Sequence, residues 1–278
     1  MILNGVSRYR EPLDRILPQL LEDLRARLGP ELVGVYLYGS VISGGFDPET
    51  SDLDLLVVTA RSTDEVDFDV LDGIVKRLAA REPDWADRLD IAFVGRGTLA
   101  TFRSGGPLVE ISHDEPLRRI PNADDWLETW FLARDADTAL IGPSPTSLIP
   151  PIDIGEFLAG AALDVDRLVE KARVDPRDRS VAYRLLTLCR LLRSLESGAI
   201  CSKDEGGAWV AERFPDSGWV IDAAQAVRHG GGARVFSADE RKAVDNLMTF
   251  LAEQVRRTGA PDVPAWRRAA GIDPTNAR

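Results

Sequence analysis

The stretch from Leu32 to Val57 constrains the fold more than any other part of the chain. Leu32-Val33-Gly34-Val35-Tyr36-Leu37-Tyr38 is a short apolar run that ends at once in Gly39-Ser40. A run of that length with β-branched and aromatic residues predicts a buried strand, and the glycine predicts a tight turn at its end. Eleven residues separate Ser40 from Asp52, and from Ser43 to Ser51 they form a loop rich in Gly, Pro and Asp. Asp52-Leu53-Asp54-Leu55-Leu56-Val57 then opens a second apolar strand that reaches Thr59. Residues two apart on a strand share a face, so Asp52 and Asp54 lie side by side. Two carboxylates ionised together repel, and a structure that keeps such a pair neutralises it with something. Mg²⁺ suits the task, because it typically takes one or two carboxylates and completes its shell with phosphate oxygens. The backbone N–H groups and the hydroxyl of Gly39-Ser40 suit those phosphates.

The rest of the first half fits an α/β pattern. Leu13, Ile16, Leu17, Leu20, Leu21, Leu24 and Leu28 recur at helical spacing, with Pro18 implying a late start or a kink and Gly29-Pro30 a stop. Residues 64–80 read as a helix carrying Val66, Val70, Leu71, Ile74, Val75 and Leu78 on one side. Leu89 to Val94 reads as a third strand, and Asp90 at its opening places a third carboxylate near the pair. Beyond Gly142-Pro143-Ser144-Pro145 and Pro150-Pro151 no convincing strand follows. Helical periodicity covers 154–172, 180–197 and 238–257, with Gly198 as a C-terminal cap of the middle helix. The expected fold is α+β or α/β over residues 1–150, a mixed sheet with flanking helices, followed by an all-helical domain over 151–278. The segment from Gly259 to Arg278 is expected to be loose or partly packed.

Composition narrows the function. The formal net charge is −11 and no basic block stands out, which argues against a nucleic-acid partner, since phosphate binding needs clustered Lys and Arg. An acidic surface attracts cationic small molecules. No run approaches membrane-spanning length, so no membrane partner is expected. Cys189 and Cys201 are the only cysteines, which suggests neither a disulfide framework nor a Cys-rich zinc site, and the cytoplasm is the default address. His113 and His229 are too few and too far apart for zinc. Gly95-Arg96-Gly97-Thr98-Leu99-Ala100 fits a dinucleotide fingerprint, but it follows no first strand of a βαβ unit and no clear strand comes after it; a loop is expected there. His229-Gly230-Gly231-Gly232 lacks the nucleophile motif an oxyanion loop would serve.

The Gly-Ser turn, loop and Asp-x-Asp resemble the signature of the DNA polymerase β-type nucleotidyltransferase superfamily. Tyr38-Gly39-Ser40 with Ser51-Asp52-Leu53-Asp54-Leu55-Leu56-Val57 is more narrowly similar to the aminoglycoside 3″/9-adenylyltransferases, the streptomycin and spectinomycin resistance enzymes. Leu186-Thr187-Leu188-Cys189-Arg190, then Ser202-Lys203-Asp204 and Ala208-Trp209, resemble the helical C-terminal domain of that family.

The resemblance implies a Mg²⁺-dependent enzyme that transfers AMP from ATP to a hydroxyl of an aminoglycoside or aminocyclitol. Asp52 and Asp54 would hold the metal. Gly39, Ser40 and Ser51 would contact the triphosphate, and Arg190 and Lys203 match positions that reach it from the C-terminal domain. Asp90 stands where the family places a glutamate base, and is either the base or a metal ligand. Streptomycin-binding members carry an acidic residue where Ser180 stands, with Asp175 and Asp178 close by in this chain. Trp126, Trp130, Trp209 and Trp219 are candidates for a sugar site or for core. The expected partner is a cationic small molecule, and the expected state a monomer or weak oligomer. Two other readings are AMPylation of a protein hydroxyl and a catalytically silent nucleotide-binding regulator. The separate helical domain counts against the first, and the intact acidic triad against the second.

Overall fold

A computed structural model of the chain describes residues 10–49, 51–112, 115–122, 126–230 and 233–258. His113, Gly231, Gly232 and the segment from Gly259 lie outside the described residues. The chain divides into two units, Met1–Pro151 and Ile152–Arg278.

In the first unit, helix α1 (Arg10–Leu28) precedes strand β1 (Leu32–Leu37), a four-residue helix α2 (Ser40–Ser43) and strand β2 (Leu53–Thr59). Helix α3 (Phe68–Arg81), strand β3 (Leu89–Gly95), the short helix α4 (Arg96–Ala100) and strands β4 (Leu108–Ser112) and β5 (Glu115–Ile120) follow. Helix α5 (Leu127–Ala136) and strand β6 (Ala139–Ile141) complete it. The helix α1 begins well before Pro18, not after it. Pro18 is exposed, so the backbone carbonyl it leaves without a helical donor faces water, while the buried Leu13, Ile16, Leu17, Leu20 and Leu24 hold the helix to the sheet. Where a loop was expected after β3, the chain forms α4, and a strand does follow. That strand, β4, runs antiparallel to β3, so the glycines there are not part of a dinucleotide-binding βαβ unit.

The six strands lie in the order β5-β4-β3-β2-β1-β6. Only β2 and β3 are parallel, joined by the α3 crossover, which makes the sheet mixed. Strand alternation divides the sheet by residue parity. The odd-numbered Val35, Leu37, Leu53, Leu55, Val57, Leu89, Ile91, Phe93, Val109 and Ile111 join the apolar residues of α1 and α3 in one core. The even-numbered Tyr36, Tyr38, Asp54, Leu56, Asp90, Ala92 and Glu110 point to the other face.

The second unit is helical throughout its described residues. The expected helix over 154–172 is two, α6 (Ile154–Leu163) and α7 (Val165–Val174). Asp164 interrupts them at φ −85° and ψ 0°, outside the α-helical range. Next come α8 (Asp178–Ser197), ended by the left-handed Gly198, then α9 (Lys203–Arg213), α10 (Gly218–His229) and α11 (Ala238–Thr258). Helix α8 is the hub against which the others pack, and Val181, Leu185, Leu188 and Leu192 anchor a core separate from the first. Cys189 and Cys201 are buried and unbridged. No helix among the described residues is long and apolar enough to cross a membrane.

Candidate active site

Strand pairing places the three aspartates. Asp54 and Asp90 sit directly opposite one another in the parallel register of β2 and β3. Asp52, in the loop two residues before Asp54, lies close enough for its charge to act on Asp90. The face that carries Asp54 and Asp90 is the one turned away from α1 and α3; Tyr36, Leu56 and Ala92 on it are buried, whereas Asp52, Asp54 and Asp90 are only partly so.

The Gly39-Ser40 turn closes over Asp54. Gly39 has φ +69°, a region that L side chains rarely adopt, and a Cβ built on it would lie 2.1 Å from Asp54 Oδ2. The next residue donates its backbone N–H to the same oxygen, at 3.3 Å from Ser40. Turn and carboxylate thus fit together only because position 39 has no side chain. The buried Ser40 hydroxyl has no hydrogen-bond partner among the described residues, an arrangement that suits an incoming oxygen. Ser51 is tied into the loop instead: its N–H donates to the Asp47 carbonyl at 2.8 Å, and its hydroxyl accepts from the Asp47 N–H at 2.8 Å.

Charge crowding shows in the titration of the site. Burial, then the Asp54 and Asp52 carboxylates, then Glu110 and Glu128, hold the Asp90 carboxyl well above the usual value of 3.8. Tyr38 is driven upward by burial first and by Asp90 and Asp54 next, while its hydroxyl bonds the Thr129 side chain. That bond puts α5 on the same face as the aspartates. Glu110 extends the acidic row onto β4 and is buried; its charge is met by Arg118 on β5, whose Nε donates to Oε1 at 2.8 Å.

The donor set fits Mg²⁺. Among the described residues no three His, Cys, Asp or Glu side chains converge to hold a metal unaided. Two adjacent carboxylates beside an unpartnered hydroxyl are what an ion needs that brings its own phosphate and water ligands.

Arg190 and Lys203 belong to the second unit. Tyr183, Thr187 and Arg190 recur at helical spacing on one face of α8, and the Lys203 ammonium lies 4.0 Å above the Tyr183 ring. Helices α8 and α9 meet at backbone contact there, since a Cβ on Gly206 would lie 2.5 Å from the Arg190 backbone nitrogen. Arg190 and Lys203 thus lie on adjoining helices. Of the tryptophans, Trp130 is buried, Trp126 and Trp209 are partly buried and Trp219 is exposed.

Glu110, Arg118 and Thr129 border the site without having been picked out by sequence. Glu110 carried a signal, being the one charge inside the apolar run Leu108-Val109-Glu110-Ile111. The others depend on pairing that no local pattern reveals.

Comparison with known proteins agrees with this geometry. The family model of the nucleotidyltransferase domain matches residues 17–104, and that of the aminoglycoside adenylyltransferase C-terminal domain matches residues 147–254. A spectinomycin 9-adenylyltransferase of Staphylococcus aureus is 25% identical over 208 residues, covering 71% of this chain and 77% of that protein. An aminoglycoside (3'') (9) adenylyltransferase of Klebsiella pneumoniae is 25% identical over 222 residues, covering 72% and 78%. The crystal structure of a spectinomycin adenyltransferase from Enterococcus faecialis, solved with ATP and spectinomycin, superposes with a TM-score of 0.72 at 19% identity, over 87% of this chain and 99% of that one. With one model matched in the first unit and the other across the helical unit, the chain pairs a nucleotidyltransferase domain with a C-terminal domain of the aminoglycoside adenylyltransferase type.

Proposed function

We propose that the protein transfers the AMP of ATP to a hydroxyl of an aminocyclitol of the spectinomycin type. The observation that carries this reading is the in-register placement of Asp54 and Asp90 beside the Gly39-Ser40 turn, a metal pair and a candidate base at one phosphate-binding corner. Asp52 and Asp54 hold Mg²⁺, which when bound polarises the α-phosphoryl group and neutralises the charge of the departing pyrophosphate. Gly39 and Ser40 receive phosphate oxygens through backbone N–H and the unpartnered hydroxyl, and Ser51 keeps the loop closed around them. Asp90 accepts the proton of the acceptor hydroxyl, a task that the raised proton affinity of its carboxyl suits. Arg190 and Lys203 contribute positive charge to the triphosphate.

The choice of an aminocyclitol over streptomycin rests on the acidic residues near Ser180. Asp175 is engaged by Arg177, with Nε at 2.8 Å and Nη2 at 2.9 Å, which holds its carboxyl far below the usual range. Asp178 accepts the Phe236 N–H at 2.7 Å and an Arg241 guanidinium at 3.2 Å. Neither carboxylate is left to receive the guanidinium groups of streptomycin.

The test is incubation with Mg²⁺, ATP and a panel of aminocyclitols and aminoglycosides, read by mass spectrometry for an added AMP. Spectinomycin should be modified and streptomycin should not, and Asp54→Asn should abolish the adduct. No adduct on any drug, from protein that still binds ATP, would overturn the reading.

A further inference from the structure

Asp52 stands at the end of a loop, before β2 begins, and a residue so placed has no ladder of its own to fix its direction. Its backbone is nevertheless held on both sides by one residue. Arg88, in the turn before β3, donates from Nε to the Ser51 carbonyl at 2.9 Å, and from Nη2 to the same oxygen. The Arg88 carbonyl in turn accepts the Leu53 N–H at 2.8 Å. The Ser51 carbonyl belongs to the peptide plane that precedes the Asp52 Cα, and the Leu53 N–H to the plane that follows it. With both planes pinned, φ and ψ of Asp52 are held.

The clamp is itself braced. The Arg88 guanidinium lies 4.0 Å from the centroid of Trp85, and Trp85 stacks on Phe46 of the catalytic loop at 6.4 Å with an interplanar angle of 11°. Trp85 is buried, at 2% exposure, so this stack is a fixed wall rather than a surface contact.

We infer that Arg88 is a positioning residue that fixes Asp52 for divalent metal binding, through paired contacts to the peptide planes on either side of it. The inference rests on the reading of Asp52 as a metal ligand. Outer partners that orient a ligand are typically worth about 10- to 100-fold in metal affinity. Lys keeps one donor for the Ser51 carbonyl, whereas Met keeps the aliphatic stem on Trp85 but no donor.

The probe is Mn²⁺ with a non-hydrolysable ATP analogue, titrated by electron paramagnetic resonance on wild type, Arg88→Lys, Arg88→Met and Arg81→Ala. Arg81 pairs with Asp23 at 3.0 Å and makes no contact with the Ser51 carbonyl, so its variant controls for general loss of stability. Thermal unfolding is followed in parallel. Mn²⁺ binding should weaken about tenfold or more in Arg88→Met, recover in part in Arg88→Lys, and match wild type in Arg81→Ala. Wild-type binding in folded Arg88→Met, or equal weakening in the Lys and Met variants, would overturn the role of Arg88 while leaving the transfer reaction standing. Wild type that binds no Mn²⁺ with nucleotide would overturn the metal reading, and this inference with it.

Discussion

At the scale of single residues, the site sets function against stability. Asp90 binds its proton more tightly in the folded protein than in the unfolded chain, so the stability it contributes is complete below about pH 4 and is lost as pH rises through its folded value. In metal-free buffer, Asp90→Asn should therefore melt at a higher temperature than wild type near neutral pH, and the gap should close as the pH is lowered toward that of a free carboxyl. The same variant should lose at least about 100-fold in AMP transfer, the low end for a general base. A calorimetric comparison of the two proteins in EDTA, beside a turnover assay, checks both halves. Gly39→Ala should behave differently. Its Cβ meets Asp54 Oδ2 and its φ is strained, so it should cost about 1–3 kcal/mol of stability and abolish transfer together, measured by denaturant unfolding and product formation. Those residues were legible in the sequence because their chemistry is local: a Gly-Ser turn and two aspartates two residues apart. Arg88 and Arg118 were not, because each acts through a neighbour on another strand or turn.

At the scale of elements, legibility followed length and propensity. Strands β1, β2 and β3 are six or seven residues of nearly unbroken apolar sequence, and each was recognisable. Strand β6 has three residues, β5 begins Glu-Pro, and β4 has Glu110 at its centre, so none of them shows the alternation that marks a strand. Helix α9 escaped because Gly206-Gly207 lies in its middle, where glycine is unfavourable by about 1 kcal/mol per residue. The structure supplies the compensation: the bare backbone at Gly206 lets α9 lie against α8, and Ser202 and Glu205 form a reciprocal cap at its start. Ser202→Ala should cost about 1 kcal/mol. Because Lys203 is the first residue of that helix, the KM for ATP should rise more than the kcat falls, a split that steady-state kinetics resolves.

At the scale of the whole molecule, charge and partition matter most. A net charge of −11 draws a cationic acceptor toward the surface, and salt screens that attraction over about 10 Å at 0.1 M. The KM for such an acceptor should climb several-fold from low to physiological salt with kcat unchanged; a flat KM would mean the charge serves solubility alone. Partition has a longer reach. Along β2 and β3 the odd positions hold up the fold, and the even positions Asp54 and Asp90 carry out the chemistry. In a genetic screen of these strands under drug selection, alleles should sort by parity. Conservative changes at Leu55, Val57, Ile91 or Phe93 should yield heat-sensitive resistance that returns in the cold, whereas changes at Asp54 or Asp90 should leave cells sensitive at every temperature.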